Sequence, residues 1–339
     1  MVYSDHIYVE EELLDACDPY HLQTERIIDF FKNRQIIPIG HYKDVFNRSR
    51  QDVCIQADNK KIIIARKRGR LVYEGAPVCQ SFGNSHFFYT SCVMNCIFDC
   101  SYCYLKGMYP SANIVIFVNI EDIFSGIEDL LKLYPVYLCV SYDTDLLGLE
   151  DITGYVKKWS GFASCHRDLT VEIRTKCGRV DVYDALDKTD NVIFAYSLSP
   201  DEVISAYEKK NAGLISRIKA AEAAMNAGFP VRFCFDPMIR INNWKEAYAG
   251  MFEEICRRID IKRVKDHSVG SFRISADYLK KMRERYVYEP LIWYPFSEDK
   301  GYYSYAREIS DEMESFMEGL ITKKDPAASV FRWRDETGR

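Results

Sequence analysis

Three cysteines within eight residues are the part of this sequence that most clearly predicts chemistry. Cys96, Cys100 and Cys103 follow a strand-like run at 86–90 and have the spacing C-x3-C-x2-C. Clustered thiolates bind zinc or the iron of an iron–sulfur cluster. A [4Fe–4S] cluster held by only three cysteines keeps one iron free for a small ligand, so this spacing indicates a reactive centre.

A fourth thiol, Cys92, lies just upstream and leaves a second interpretation open. All four cysteines together would form a closed zinc or redox site in a protein that is not an enzyme. Zinc sites of this kind usually combine two separated pairs of cysteines, and the chain has no second pair at a matching distance. The pattern favours the three-cysteine site, and whether Cys92 also binds metal stays open.

The cysteine spacing resembles the signature of the radical S-adenosylmethionine (SAM) superfamily, in which an aromatic residue precedes the last cysteine, as Tyr102 does here. The resemblance implies that Cys96, Cys100 and Cys103 bind a [4Fe–4S] cluster. In that superfamily the amino and carboxylate groups of SAM chelate the open iron, and one electron cleaves SAM to a 5′-deoxyadenosyl radical. The implied cofactors are therefore the cluster and SAM.

The composition predicts an ordinary globular protein. The chain has 339 residues, of which 47% are hydrophobic and 28% charged, and a formal net charge of −5, which argues against wholesale binding of nucleic acid. No apolar run approaches the roughly 20 residues that span a bilayer. We see no secretory signal, so we expect a cytoplasmic protein without a membrane partner, whose twelve cysteines are mostly reduced.

Alternating strand-like and helix-like segments from about residue 85 predict how the cysteine loop is held. Between mostly amphipathic helices lie six predicted strands, at 86–93, 113–119, 136–142, 169–176, 191–199 and 230–237. Six such units predict an α/β fold, a partial (β/α)6 barrel of the TIM type. The cysteine loop follows the first predicted strand, where the loops of such barrels form active sites.

The chain divides into three predicted regions. Residues 1–82 form a small N-terminal α/β unit, residues 83–275 form the barrel, and residues 276–339 form a C-terminal helical extension. We find no internal repeat and no linker rich in Pro or Gly. We therefore expect the N-terminal unit to pack on the barrel.

The third predicted strand carries a candidate hydrogen-atom donor. Alternation along a strand places Cys139 and Ser141 on one face and Tyr142 on the other. If the first face points into the barrel, the weak S–H bond of Cys139 can give a hydrogen atom to a carbon radical. The alternative is a buried cysteine that only fills space.

Lys176 and Ser197 end two further predicted strands. At the mouth of a barrel, a lysine suits a carboxylate or a phosphate, and a serine hydroxyl suits a polar ligand. The alternatives are an exposed lysine and a structural serine at the end of a strand. Both residues are candidate ligand contacts.

Several segments together resemble the spore photoproduct lyase family. They are the cysteine loop, 117–124, 139–141, 145–150, 174–176, 194–197 and, more loosely, 237–244 and the N-terminal unit. The resemblance implies repair of 5-thyminyl-5,6-dihydrothymine, a methylene-bridged thymine dimer that ultraviolet light forms in DNA. A deoxyadenosyl radical abstracts hydrogen, the bridging C–C bond breaks, a cysteine supplies hydrogen and a radical relay regenerates SAM.

The resemblance also implies roles and partners. Ser141, Lys176 and Ser197 contact SAM, and Tyr102 and Tyr104 relay the radical. The implied partners are damaged DNA, with its pyrimidine dimer flipped out of the duplex, and an electron donor such as flavodoxin or ferredoxin. Contacts with the lesion are expected from the C-terminal extension.

The chain departs from the family pattern at two places. The family's donor cysteine lies three residues before an aspartate, whereas Cys139 lies six residues before Asp145. An alignment without a gap places Tyr142 at the donor position, so the donor stays open between Cys139, Tyr142 and Cys177. The family's C-terminal Arg-Tyr pair has no counterpart at 297–303, which leaves another nucleic-acid adduct as an alternative substrate.

Overall fold

The computed structural model describes residues 6–76 and 79–333. The first five residues, part of the stretch in which we expect no secretory signal, lie outside the described residues. The strands are β1 (His6–Glu10), β2 (Gln35–Ile39), β3 (Ile62–Ala65), β4 (Tyr73–Glu74), β5 (Phe87–Tyr89), β6 (Val93–Met94), β7 (Asp99–Cys100), β8 (Ile114–Phe117), β9 (Val136–Cys139), β10 (Leu169–Thr175), β11 (Val192–Ser197), β12 (Glu208–Lys209), β13 (Val231–Met238), β14 (Asp266–Ser271), β15 (Arg273–Ser275), β16 (Ser297–Asp299), β17 (Tyr302–Ser304) and β18 (Val330–Arg332).

Helices connect most of these strands. They are α1 (His21–Phe30), α2 (Lys43–Phe46), α3 (Val53–Asp58), α4 (Leu105–Met108), α5 (Ile120–Leu131), α6 (Glu150–Thr153), α7 (Tyr155–Ser164), α8 (Asp201–Tyr207), α9 (Leu214–Asn226), α10 (Trp244–Arg258), α11 (Ala276–Arg285) and α12 (Arg307–Lys324), with short 3-10 turns at Glu11–Leu14, Leu147–Leu149, Tyr183–Ala185, Ile261–Arg263 and Pro290–Trp293. Among the described residues, no helix is both long and apolar enough to cross a bilayer.

The largest sheet is the curled half-barrel that the alternating pattern predicts. Its eight strands have the order β18-β14-β13-β11-β10-β9-β5-β4. Every neighbouring pair is parallel except β4 and β5. The predicted fold class, an α/β partial barrel of the TIM type, is confirmed.

The prediction is wrong for one of the six barrel strands, which lies in another sheet. The segment 113–119 contains β8, which pairs with β3 and β6 in a second sheet of order β2-β1-β3-β8-β6. Alternate residues of β8 enter two different hydrophobic clusters, so both of its faces are buried. A strand buried on both faces has a continuous apolar sequence in either sheet, so the pattern could not distinguish them. The barrel uses β14 instead.

The N-terminal sheet packs directly beside the cysteine loop. It takes β1–β3 from the N-terminal region and β6 and β8 from later residues, on both sides of that loop. The division of the chain at residues 82 and 275 stays a prediction. Strands β6 and β8 of this sheet precede and follow the cysteine loop in the chain, so one sheet holds the chain on both sides of the loop.

Candidate active site

A cavity of about 550 Å³ opens at the carboxyl ends of the barrel strands. A cavity of this volume accommodates a ligand the size of SAM. The residues predicted for the site that line this cavity are Cys96, Cys100, Tyr102, Cys103, Tyr104, Cys139, Ser141, Tyr142, Lys176 and Ser197. Cys177, the remaining candidate donor, is buried but is not among the lining residues.

The cysteine loop is held by main-chain pairing and by a lysine side chain, in addition to its own turns. Strand β7 pairs antiparallel with β12, with Cys100 opposite Glu208. The ammonium of Lys60 donates hydrogen bonds to the carbonyl oxygens of Cys96 and Phe98, at 2.6 and 2.8 Å. The loop therefore has a defined position relative to both sheets.

The three thiols fit a soft, positively charged metal centre. Burial raises the pKa values of Cys96 and Cys103, and raises the pKa of Cys100 to about 12. Buried thiols with such pKa values become thiolates only when a positive charge replaces their protons, as iron or zinc does. The amide nitrogen of Asn211 also donates a hydrogen bond to the Cys100 sulfur, at 3.2 Å.

Cys92 is separated from this group. Its side chain is fully buried in the main hydrophobic core, beside the indole of Trp159, and it is not among the residues that line the cavity. Within 6–76 and 79–333, no three His, Cys, Asp or Glu side chains surround a single ion site. A zinc site needs its four sulfurs around a single ion, so the four-cysteine zinc site has no geometric support. The cysteines of an iron–sulfur cluster bind different iron atoms and lie further apart.

The predicted SAM contacts come from three neighbouring strand ends. Ser197 ends β11, Lys176 follows β10, and Ser141 follows β9. The Lys176 ammonium lies 5.8 Å from the centre of the Tyr102 ring, so its charge is beside the cysteine loop. The Ser141 hydroxyl accepts a hydrogen bond from the main-chain N–H of Arg174 at 2.6 Å, which gives it a structural role.

Thr144 is a polar residue of the cavity that the sequence analysis missed. Its hydroxyl is buried, and among the described residues it has no hydrogen-bond partner. The next residue, Asp145, accepts hydrogen bonds from the main-chain N–H groups of Gly148 and Lys176, at 3.0 and 2.7 Å. Burying an unpaired hydroxyl costs free energy, so this one is suited to a bound ligand. The gap-free alignment that places Tyr142 at the donor position also makes Thr144, rather than Ser141, the hydroxyl residue directly before the aligned aspartate, Asp145.

The two tyrosines of the cysteine loop lie close to the cavity but have different partners. The Tyr102 hydroxyl donates a hydrogen bond to the carboxylate of Glu208, which also forms a buried ion pair with Arg217. The Tyr104 hydroxyl donates a hydrogen bond to the main-chain oxygen of Tyr142 at 2.6 Å. Tyr104 therefore connects the cysteine loop to the end of β9.

Cys139 faces the barrel interior, as strand alternation predicts, but its thiol is directed at a carboxylate. Its sulfur lies 3.9 Å from Oε1 of Glu172 and only 1% of the residue is exposed. Burial alone would raise the pKa of Glu172, yet Arg174 and Arg232 keep it below its usual value. Burial and this carboxylate raise the pKa of Cys139, so the thiol keeps its proton and donates a weak hydrogen bond to the Glu172 carboxylate.

Tyr142 does not follow the predicted alternation. Strand β9 ends at Cys139, and the chain then turns so that the Tyr142 ring enters the cavity, 5.2 Å from the ring of Tyr89. The expectation that Tyr142 faces away is therefore wrong. Strand alternation applies only within the strand, and the predicted strand was three residues too long.

The sequence analysis also missed a thiol of the cavity that lies outside the cysteine loop. Cys79, in the segment between β4 and β5, lines the cavity and is hydrogen-bonded to the side chain of Tyr142. No spacing pattern marks it, because it lies 60 residues before Cys139. Only the folded chain brings these two thiols to one cavity.

The far wall of the cavity comes from a small antiparallel sheet of order β15-β17-β16. Arg273 of β15 and Tyr302 of β17 line the cavity, and Arg273 pairs with Asp236 at 3.1 Å. The segment 297–300, which stands in place of the family's Arg-Tyr pair, forms the exposed strand β16 and the turn after it. An arginine and a tyrosine therefore line the cavity at this wall, but at sequence positions outside the segment 297–300.

Comparison with known proteins defines the family. The family model described as "Spore photoproduct lyase" matches residues 83–291, which is more than half of the chain. The chain belongs to the spore photoproduct lyase family. A curated spore photoproduct lyase from Geobacillus sp. (strain Y412MC61) is 23% identical over 251 residues, covering 69% of this chain and 73% of that protein. The spore photoproduct lyase of Bacillus subtilis (strain 168) is 26% identical over 164 residues, covering 47% and 48%.

Solved structures of the family share the fold. A cysteine-to-serine variant of spore photoproduct lyase superposes with a TM-score of 0.82 at 20% identity, covering 98% of this chain and 99% of that one. A double variant with bound AdoMet and dinucleoside spore photoproduct superposes with a TM-score of 0.79 at 20% identity, covering 97% and 98%. The predicted family and its radical SAM fold are confirmed, and a four-cysteine zinc protein is not supported.

Proposed function

We propose that this protein is a radical SAM lyase that reverses 5-thyminyl-5,6-dihydrothymine in DNA. The observation that carries the proposal is the convergence of the three thiols of the cysteine loop, a lysine and several hydroxyls on one cavity at the carboxyl ends of the strands. The family relationship supports the same reaction, because the curated relatives are named spore photoproduct lyases.

Cys96, Cys100 and Cys103 would hold the [4Fe–4S] cluster. Bound SAM supplies the deoxyadenosyl radical that starts the reaction. Lys176 is positioned for the SAM carboxylate because its charge lies beside the cysteine loop, and Ser197 offers a hydroxyl from the next strand. We infer that Thr144 is a better hydroxyl contact than Ser141, because its hydroxyl has no partner among the described residues whereas that of Ser141 is occupied.

Two features of the cavity suit a pyrimidine dimer. Its aromatic walls, which include Tyr89, Phe272 and Tyr278, offer flat surfaces against which unstacked bases can pack. Arg174 and Arg273 also line it, ion-paired with Glu172 and Asp236, and guanidinium groups can donate hydrogen bonds to the polar edges of the bases. A dimer has to leave the duplex to reach this depth, which agrees with damaged DNA as the partner.

The reaction also needs an electron for the cluster. We propose an electron donor of the flavodoxin or ferredoxin type and a reducing, cytoplasmic location. All twelve cysteines are free, which agrees with such a compartment.

The decisive test incubates anaerobically reconstituted, reduced protein with SAM and dinucleoside spore photoproduct. We expect repaired dithymidine by chromatography and mass spectrometry. Formation of 5′-deoxyadenosine without repair would exclude this substrate. The departures around Tyr142 then favour another nucleic-acid adduct, which adducted dinucleosides can test in the same assay.

A further inference from the structure

Besides the three cysteines of the cysteine loop, two thiols line the cavity, and they differ in their availability. Cys139 is 1% exposed, and its sulfur is directed at the Glu172 carboxylate at 3.9 Å. Cys79 is half-buried, lines the cavity and contacts the hydroxyl of Tyr142. A group that gives hydrogen to a substrate has to reach it, and Cys79 meets this condition better than Cys139.

We propose that Cys79 is the hydrogen-atom donor to the product radical, and that Tyr142 restores its S–H bond. The proposal rests on the proposed function. It explains why the chain has a tyrosine where a gap-free alignment places the family's donor cysteine. The thiol lies instead on the segment between β4 and β5, hydrogen-bonded to the aromatic residue, which follows the end of β9.

Two side chains and the deoxyadenosyl group of SAM account for every hydrogen atom that moves. The Cys79 S–H bond breaks homolytically, its hydrogen atom forms a C–H bond on the carbon radical, and a thiyl radical is left on Cys79. The thiyl then takes the hydrogen atom of the Tyr142 O–H group, which leaves a phenoxyl radical on Tyr142. In the proposed cycle the phenoxyl takes a hydrogen atom from the methyl group of 5′-deoxyadenosine, and the deoxyadenosyl radical that results re-forms SAM. The Tyr104 hydroxyl, hydrogen-bonded to the main-chain oxygen of Tyr142 at 2.6 Å, lies beside this route.

The local environment keeps Cys79 in the form that can donate. Burial raises the pKa of its thiol, and the nearby Tyr142, Arg273 and Arg174 only partly oppose that effect. At neutral pH the residue is therefore a thiol with a hydrogen atom to give. A thiolate would have none.

The experiment compares wild type with Cys79→Ala, Cys139→Ala and a matched control, Cys256→Ala, which changes a half-buried cysteine of α10 outside the cavity. Each protein is reconstituted, reduced and given SAM and dinucleoside spore photoproduct in D2O. Solvent deuterium reaches the product only through an exchangeable donor such as a thiol.

We expect Cys79→Ala to form 5′-deoxyadenosine but to lose most of the repaired, deuterium-labelled dithymidine and to accumulate by-products. Cys139→Ala and Cys256→Ala should repair cleanly with label. Tyr142→Phe should complete about one turnover per enzyme and then stop, because the thiyl is not refilled.

Three outcomes overturn the proposal. Clean, labelled repair by Cys79→Ala overturns the donor assignment alone, as does loss of repair in Cys139→Ala only. A wild type that forms 5′-deoxyadenosine without repair overturns the proposed function, and this assignment with it. If Cys79→Ala loses its iron or its 5′-deoxyadenosine formation, Cys79→Ser serves as the near-isosteric variant, for which we expect the same loss of label.

Discussion

The two sides of the active-site cavity differ in which parts of the chain form them. The cluster side, comprising Cys96, Cys100 and Cys103, is one short loop whose middle residue is fixed by pairing with β12. The donor side, comprising Cys79, Cys139 and Tyr142, is assembled from separate parts of the chain. A contiguous loop can be recognised from spacing alone, whereas a site formed by distant segments depends on the fold.

The cluster side is also the more firmly held. Arg217 and Glu208 form an ion pair in which neither side chain is exposed, and Glu208 accepts the hydroxyl of Tyr102. Burial by itself would raise the pKa of Glu208, but Lys176 and Arg217 lower it to about 2. A buried hydroxyl without a partner among the described residues occurs on each side, at Ser101 of the cysteine loop and at Thr144, but of these two only Thr144 lines the cavity. We infer that the first side preserves geometry and that the second accommodates ligands.

The largest expected effect is at the cluster side. Cys100→Ala removes one of three thiolate ligands, so we expect loss of the cluster and of 5′-deoxyadenosine formation. Iron and sulfide content, visible absorbance and the SAM cleavage assay measure this. Cys92→Ala is the matched control, because it changes a buried cysteine outside the cavity and should keep the iron. Loss of iron in Cys92→Ala would restore the four-cysteine alternative and end the distinction between the two sides.

The next effect concerns stability. Glu208→Gln leaves the buried Arg217 without its counter-charge, and we expect a loss of about 3 kcal/mol in the free energy of unfolding. Chemical denaturation of wild type and variant measures it. Lys132→Ala, which breaks an exposed ion pair with Asp129, is a control that should leave the free energy of unfolding nearly unchanged.

The same ion pair predicts a pH dependence. The pKa of Glu208 is about 2 in the folded protein and roughly 4.3 in an unfolded chain. The ionised carboxylate therefore makes its full contribution to the free energy of unfolding when the pH is above the pKa of the unfolded chain. It is lost as the pH falls from about 4.3 towards 2. The difference in stability between wild type and Glu208→Gln should therefore shrink across this range. A constant difference would show that the charge of Glu208 is not what stabilises the cluster side.

The same contrast explains what the sequence could predict. The β/α alternation, the cysteine loop and the strand-end residues Lys176 and Ser197 all depend on local patterns, and each lies where expected. The apolar run at 113–119 was placed in the wrong sheet, because sequence periodicity cannot show which sheet buries a strand. Cys79 could not be found, since its proximity to Tyr142 results from tertiary structure.

The smallest effect tests where the two sides meet. Thr144→Val removes the hydroxyl that has no partner among the described residues, and we expect SAM binding to weaken by roughly 5-fold, or about 1 kcal/mol, while Thr144→Ser retains affinity. Ser141→Ala should instead lower stability by about 1 kcal/mol, because the N–H of Arg174 loses its acceptor. Anaerobic equilibrium binding of SAM and chemical denaturation separate these two expectations.

The outcome also decides the alignment. If Thr144 is the SAM contact, the chain aligns with its family without a gap, and Tyr142 occupies the donor position. If Ser141→Ala weakens SAM binding and Thr144→Val does not, the aligned segment requires an insertion at 142–144, and Cys139 becomes the donor. The donor cysteine would then occupy the family's position, and the donor side could be recognised from the sequence as well as the cluster side.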